Sequence, residues 1–168
     1  MSKIGLFYGS SLGNTQNVAL QIAQALDVDK SNIVDIANAT SEMLLAYDVL
    51  ILGSSTWGTG DLQDDWEGFI DTLEKINLSD KKVAVFGTGD SSSYSDTFCD
   101  AIGTIAQAAE KAGATPIGGK VSTSDYSYDS SRAERDGAFC GLPLDEDNES
   151  DKTKERINSW VAQLKLEI

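Results

Sequence analysis

Three short segments hold the residue types that could bind a ligand. Gly9-Ser10-Ser11-Leu12-Gly13-Asn14-Thr15 lies between an apolar run and a helical pattern. Its three hydroxyls and the free N–H groups of a helix N-terminus suit an anion such as a phosphate. The segment has no Lys or Arg, so a phosphate there would rest on amide dipoles and hydroxyls instead of a cation. The same residues also read as an ordinary capped helix start with Gly in the turn. Ser54-Ser55-Thr56-Trp57-Gly58-Thr59-Gly60-Asp61 sets a Trp among small residues at the end of a buried run. That indole is either a flat wall for a planar ligand or part of a Gly-rich turn. Gly87-Thr88-Gly89-Asp90-Ser91-Ser92-Ser93-Tyr94-Ser95-Asp96 repeats the pattern and offers a second ring at Tyr94, which taken alone reads as a surface aromatic.

Other chemistries are excluded by what is missing. Gly9-Ser10-Ser11-Leu12-Gly13 has the Gly-x-Ser-x-Gly form of a hydrolase nucleophile turn, yet the chain contains no His, so that triad has no base. A P-loop needs Gly-Lys-Ser/Thr, and Asn14 and Thr15 follow Gly13 instead. Cys99 and Cys140, the only cysteines, cannot supply four thiolates to an iron–sulfur cluster and form no Cys-x-x-Cys. They read as buried packing groups. The acidic run Asp145–Asp151 lacks the Gly and Glu of a calcium loop, having Ser150 and Arg156 at those places, and reads as a solvated turn. With 13 Lys and Arg against 27 Asp and Glu, the net charge is −14, which disfavours nucleic acid and anionic membranes. No signal peptide or membrane span is evident, and a cytoplasmic location is expected.

These segments need a scaffold, and the hydrophobic period supplies one by switching between 2 and 3.6 along the chain. Strands are expected at Ile4–Tyr8, around Ile33–Ile36, at Val49–Leu52, at Val83–Phe86, and from Pro116 as an interrupted fifth. Helices are expected from Asn14, at Met43–Tyr47, along Trp66–Leu73, from Phe98 towards Gly113, and around Ile157–Leu164. This alternation indicates an α/β, doubly wound, five-stranded parallel sheet with helices on both faces, within a single domain over residues 1–168. Ligands in such sheets bind at the carboxyl ends of strands, which selects residues 9–15, 54–62 and 87–97. Residues 122–137, rich in Ser, Asp and Tyr, break the rhythm as a long excursion from the last strand.

Over essentially its whole length the sequence resembles the flavodoxin family in its long-chain form. The resemblance is carried by Gly9–Thr15, by Ser55-Thr56-Trp57-Gly58-Thr59-Gly60-Asp61-Leu62-Gln63, by Phe86-Gly87-Thr88-Gly89-Asp90 with Tyr94, and by Leu142-Pro143-Leu144-Asp145-Glu146-Asp147-Asn148. It implies strand order 2-1-3-4-5, with the 122–137 excursion as an insertion in the last strand. It also implies non-covalent FMN, with the phosphate on Ser10, Ser11, Leu12, Gly13, Asn14 and Thr15. Further cofactor contacts are expected from Ser55, Thr56, Trp57, Gly58, Thr59, Gly60, Thr88, Gly89, Asp90, Tyr94 and Thr97. Trp57 and Tyr94 would flank the isoalloxazine, and amides near Gly89 and Asp90 would meet its pyrimidine edge. Leu12 departs from the family's usual Thr or Ser, so weaker phosphate binding is expected.

The implied function is low-potential one-electron transfer between semiquinone and hydroquinone. Asp61, Asp64, Asp65, Asp90, Asp96 and Asp100 are expected to oppose the anionic hydroquinone, and rotation of the Gly58–Thr59 peptide to favour the semiquinone. The expected partners are a reductase as donor and low-potential acceptor enzymes, docking a monomer through basic surfaces. An FMN-dependent NAD(P)H reductase would need a second nucleotide site, of which the sequence has no sign. A receiver-type signalling domain would need an Asp where Ser54, Ser55 and Thr56 stand.

Overall fold

The computed structural model describes residues 2–168. Five parallel strands build the main sheet: β1 (Ile4–Gly9), β2 (Ile33–Asp35), β3 (Val49–Trp57), β4 (Lys82–Thr88) and β5 (Leu142–Leu144). Their order across the sheet is β2-β1-β3-β4-β5, the order that the family resemblance implies. Four long helices among the described residues cover it: α1 (Asn14–Ala25), α2 (Asp64–Lys75), α3 (Asp100–Lys111) and α4 (Thr153–Glu167).

Strand alternation sends successive side chains to opposite faces, and each face has its own core. Leu6, Ile51, Ala84 and Phe86 pack with Val18 and Ile22 of α1 and with Ile157, Trp160 and Leu164 of α4. Phe7, Leu50, Leu52 and Val85 pack with Trp66, Phe69 and Leu73 of α2 and with Ile102 and Ile105 of α3. Val49, Leu50, Ile51 and Leu52 are all fully buried, which is why a run without polar alternation is a strand here.

The fifth strand position is filled in two pieces. Thr115–Pro116 pairs with the start of β4 and β5 pairs with its end. The intervening insertion is better ordered than its composition suggests. Val121–Ser122, Ala138–Phe139 and Glu134–Arg135 form a small antiparallel sheet. Above it Tyr126 meets Phe139 edge-on with ring centroids 4.9 Å apart, and Tyr128 stacks on Phe98 at 5.7 Å. The tyrosines that mark the excursion are its core.

Several expectations need correction. The helix expected from Phe98 begins at Asp100, because Cys99 takes a left-handed φ of 51° and Phe98 turns into the insertion's aromatic cluster. The short helix expected at Met43–Tyr47 is Ser41–Leu45, capped by Thr40. Cys140 is not the buried packing group expected. It lies between Ala138–Phe139 and β5 and is only half-buried, whereas Cys99 is fully buried.

Candidate functional site

At the carboxyl ends of β1, β3 and β4 opens a cleft of about 260 Å³. Ser10, Ser11, Leu12, Asn14 and Thr15 form one wall, Ser55, Thr56 and Trp57 a second, and Thr88, Gly89, Asp90 and Tyr94 a third. Gly13, Gly58, Thr59, Gly60 and Thr97, the other expected site residues, do not line it. Gly13 and Gly60 instead allow turns with φ of 95° and 99°, and Thr97 ends a single turn of 3-10 helix. Glu146 and Asp147 complete the cleft. The loop selection missed them because they follow the fifth strand. Extending the strand-end rule to β5 would have found them. A larger cavity of about 550 Å³ lies between α3 and the broken fifth strand, lined by none of the three loops.

The first loop gathers hydroxyls and backbone donors at the start of α1. Gly13 is the residue before α1, and no side chain caps the helix. Ser10 Oγ instead accepts the Gly13 N–H at 3.0 Å. Among the described residues the amides of Asn14, Thr15 and Gln16 have no protein partner, so the positive end of α1 faces the cleft unsatisfied. The capped-helix reading of this loop therefore fails. Thr15 is buried and its hydroxyl lies 2.9 Å from that of Thr88, joining the first and third loops. Leu12 is 78% exposed at the cleft edge.

Gln63, also buried, ties the first loop to the second. Its Nε2 donates to Ser11 Oγ at 3.2 Å, while its Oε1 accepts the Asp65 N–H at 3.0 Å and caps α2. Trp57 Nε1 donates to Ser55 Oγ at 2.7 Å, which fixes the indole plane. Gly58 follows with φ of 51° in a turn closed by the Gly60 N–H to the Trp57 carbonyl, 3.1 Å. Trp57 and Tyr94 remain 39% and 48% exposed. Two large aromatic rings thus stand half open on separate walls of the cleft, each presenting a flat apolar surface to it.

The electrostatics are acidic throughout. Backbone N–H groups of Ser93 and Ser92, with the amide of Asn148, hold the Asp90 carboxyl below its usual range. Partial burial and the neighbouring charges of Asp90 and Asp145 push Asp147 above it. Asp100, expected with the other acids near the loops to oppose the anionic hydroquinone, is buried. It accepts the Arg132 N–H at 2.7 Å and faces the Arg132 guanidinium, and burial raises its pKa. It clamps the insertion, not the cleft. Asp145 is likewise fully buried, contrary to the solvated turn expected for Asp145–Asp151. Burial pushes the Cys99 thiol well up, which leaves it an inert packing group. No group of three or more His, Cys, Asp or Glu among the described residues could hold a metal ion. Nor is any described helix long and apolar enough to cross a membrane.

Comparison with known proteins places these features in context. The family described as Flavodoxin matches residues 6–160. The flavodoxin of Synechococcus elongatus is 46% identical over 169 residues, covering 100% of this chain and 99% of that protein. Flavodoxin 1 of Escherichia coli is 43% identical over 169 residues, covering 100% and 96%. Among solved structures, Fusobacterium nucleatum flavodoxin bound to flavin mononucleotide superimposes with a TM-score of 0.91 at 28% identity, covering 100% of this chain and 99% of that one. Oxidised Flavodoxin 2 of Bacillus cereus gives 0.75 at 30% identity, covering 99% of each.

Proposed function

The chain belongs to the flavodoxin family and is an FMN-based electron carrier, not an enzyme; we propose that its cofactor sits in the cleft between Trp57 and Tyr94. The observation that carries this reading is the set of unpartnered amides at the start of α1, beside hydroxyls and without a cation. That donor set fits a phosphate monoester, which backbone N–H groups at a helix end hold without Lys or Arg. The ring walls fit the flat remainder of FMN.

Bound FMN supplies the redox chemistry, accepting and releasing electrons one at a time. The protein's part is to hold, shield and bias it. Ser10, Ser11, Asn14 and Thr15 would hold the phosphate by hydroxyl and amide donation. Trp57 and Tyr94 would keep water from the ring faces and, being half exposed, leave an edge open to a partner. Asp90, Glu146 and Asp147 stand in the wall, where their charge raises the cost of adding negative charge to the ligand. The Gly58 turn would offer a backbone carbonyl to the ring edge, since glycine lets that peptide reorient at small cost.

The carrier works as a single FMN-binding domain and a cytosolic monomer. It takes electrons from a reductase and delivers them to low-potential acceptors, both meeting the acidic surface with basic patches. Comparing the apoprotein's affinity for FMN and for riboflavin tests the phosphate assignment. FMN is expected to bind far more tightly, and equal affinities would remove the first loop from the site.

A further inference from the structure

We propose that Asp145 is a positioning residue that holds the third loop against the cofactor without touching the cofactor itself; this rests on the FMN reading of the cleft. Asp145 follows β5 directly, is fully buried, and is not among the residues lining the cleft. No Lys or Arg among the described residues forms an ion pair with it. A buried carboxylate without a counter-ion is costly unless hydrogen bonds satisfy its oxygens.

Here four donors do so, and all come from two residues. The Ser91 N–H donates at 3.1 Å and the Ser91 hydroxyl donates as well. The Asn148 N–H donates at 3.0 Å, and the Asn148 side-chain amide donates at 3.0 to 3.1 Å. That same amide also reaches Asp90 Oδ1 at 2.8 Å. With carboxylates on both sides, only its nitrogen can face them. Asp90 Oδ1 in turn accepts the Ser92 and Ser93 N–H groups, and the Asp90 carbonyl accepts the Tyr94 N–H at 2.9 Å. A continuous set of bonds therefore runs from the buried Asp145 to Asp90 and Tyr94, two residues of the cleft wall. Only a carboxylate fits at the hub, because it offers acceptors alone. Asn in its place would turn a donor towards donors.

Positioning and simple charge make opposite predictions. If Asp145 acted only as a negative charge near an anionic cofactor, Asp145→Asn would tighten FMN binding. If it positions the loop, the same change leaves buried donors unpaired and weakens binding.

The test is FMN titration of the apoproteins of wild type, Asp145→Asn, Ser91→Ala, Asn148→Ala and Asp145→Asn with Ser91→Ala, together with the midpoint potential of the second electron step. Asp145→Asn is expected to weaken binding about tenfold or more, given what an unpaired buried donor costs. Ser91→Ala and Asn148→Ala, which change no charge, are expected to weaken it in the same direction. Ser91→Ala is also expected to raise the second-step potential by letting water reach the ring edge. The double variant is expected to lose less than the product of the single losses, and Ser91→Thr, which keeps both donors, to restore wild-type affinity. Wild-type or tighter binding by Asp145→Asn overturns the proposal. Should that apoprotein not fold, wild-type affinity and potential in Ser91→Ala and Asn148→Ala overturn it equally. A wild-type chain that bound no FMN would instead strike the cofactor reading on which the inference stands.

Discussion

The hydroxyls of Thr15 and Thr88 lie 2.9 Å apart, buried at the point where the first turn of α1 meets the end of β4. Seventy-three positions separate these residues in sequence, and the sheet order β1-β3-β4 brings them together. The bond fixes the first loop relative to the third, which carries Tyr94. Thr88→Val removes one partner and leaves the Thr15 hydroxyl free to turn away from the cleft. FMN affinity is expected to fall about three- to tenfold, for a loss of roughly 1 kcal/mol, and the apoprotein's denaturant midpoint to fall as well, because the buried Thr15 hydroxyl loses its partner. Titration by flavin fluorescence quenching checks this, and unchanged affinity would detach the pair from the site.

Leu12 stands at the cleft edge with its side chain in solvent. Leu12→Thr supplies a hydroxyl where the loop now offers only its amide. Binding of FMN is expected to tighten about threefold or more, in line with ~1 kcal/mol for one added hydrogen bond. Riboflavin, having no phosphate, is expected to bind as before. Equal gains for both ligands would place Leu12 beside the ring rather than the phosphate.

At Gly58 the chain turns with a φ of 51°, and a Cβ there would lie 3.3 Å from Asp61 Oδ2. Gly58→Ala narrows the backbone conformations open to this turn and hinders reorientation of the Gly58–Thr59 peptide. The potential of the first electron step is expected to fall by about 40 mV for each kcal/mol by which the reoriented turn is disfavoured. A potentiometric titration reads the shift. An unaltered first potential would show that this peptide does not move with the redox state.

Asp147 and Asp90 titrate in opposite directions from the ordinary carboxylate. Asp147 is raised by burial and its acidic neighbours, and Asp90 is lowered by the Ser93 N–H. On acidification from pH 7, Asp147 therefore takes up its proton first. A raised carboxyl pKa means that the folded state disfavours the charge, so Asp147→Asn is expected to stabilise the apoprotein at neutral pH. That gain should fade as the pH falls through the raised pKa, where the native side chain is neutral too. Asp90→Asn is expected to behave oppositely, losing stability at neutral pH and converging on wild type only at lower pH. Denaturant midpoints for the three proteins across pH 3 to 8 decide the signs, and a pH-independent effect of Asp147→Asn would contradict the assignment.

Much of this architecture is legible in the residues themselves. Val49–Leu52 admits little but a strand covered on both faces, and Trp66, Phe69 and Leu73 mark the buried stripe of α2. The three loops that line the cleft follow from strand–helix alternation and the rule that such sheets bind at strand ends. What escapes is whatever depends on distant partners. The run Asp145–Asp151 looks solvated because acids usually are. The burial of Asp145 is set by Ser91, 54 positions away. Cys99 belongs to an apolar helical pattern, yet its left-handed φ ends that pattern one residue before α3. The insertion's tyrosines look polar in isolation, and their packing on Phe98 and Phe139 appears only when those rings converge.

The acidic surface has a kinetic consequence. With a net charge of −14, association with a basic redox partner is expected to slow steeply as ionic strength rises past about 0.1 M, where the Debye length shrinks to ~10 Å. Stopped-flow rates at several salt concentrations measure the slope. A flat dependence would leave the charge as a solubility feature with no part in docking.

The most direct test of the central claim is a reductive titration of the purified chain reconstituted with FMN, followed by absorption and electrode potential together. The account predicts one FMN per chain and two separated one-electron steps, the second at a much lower potential than the first. A single two-electron step near the potential of free FMN, or a chain that does not retain FMN, would contradict it.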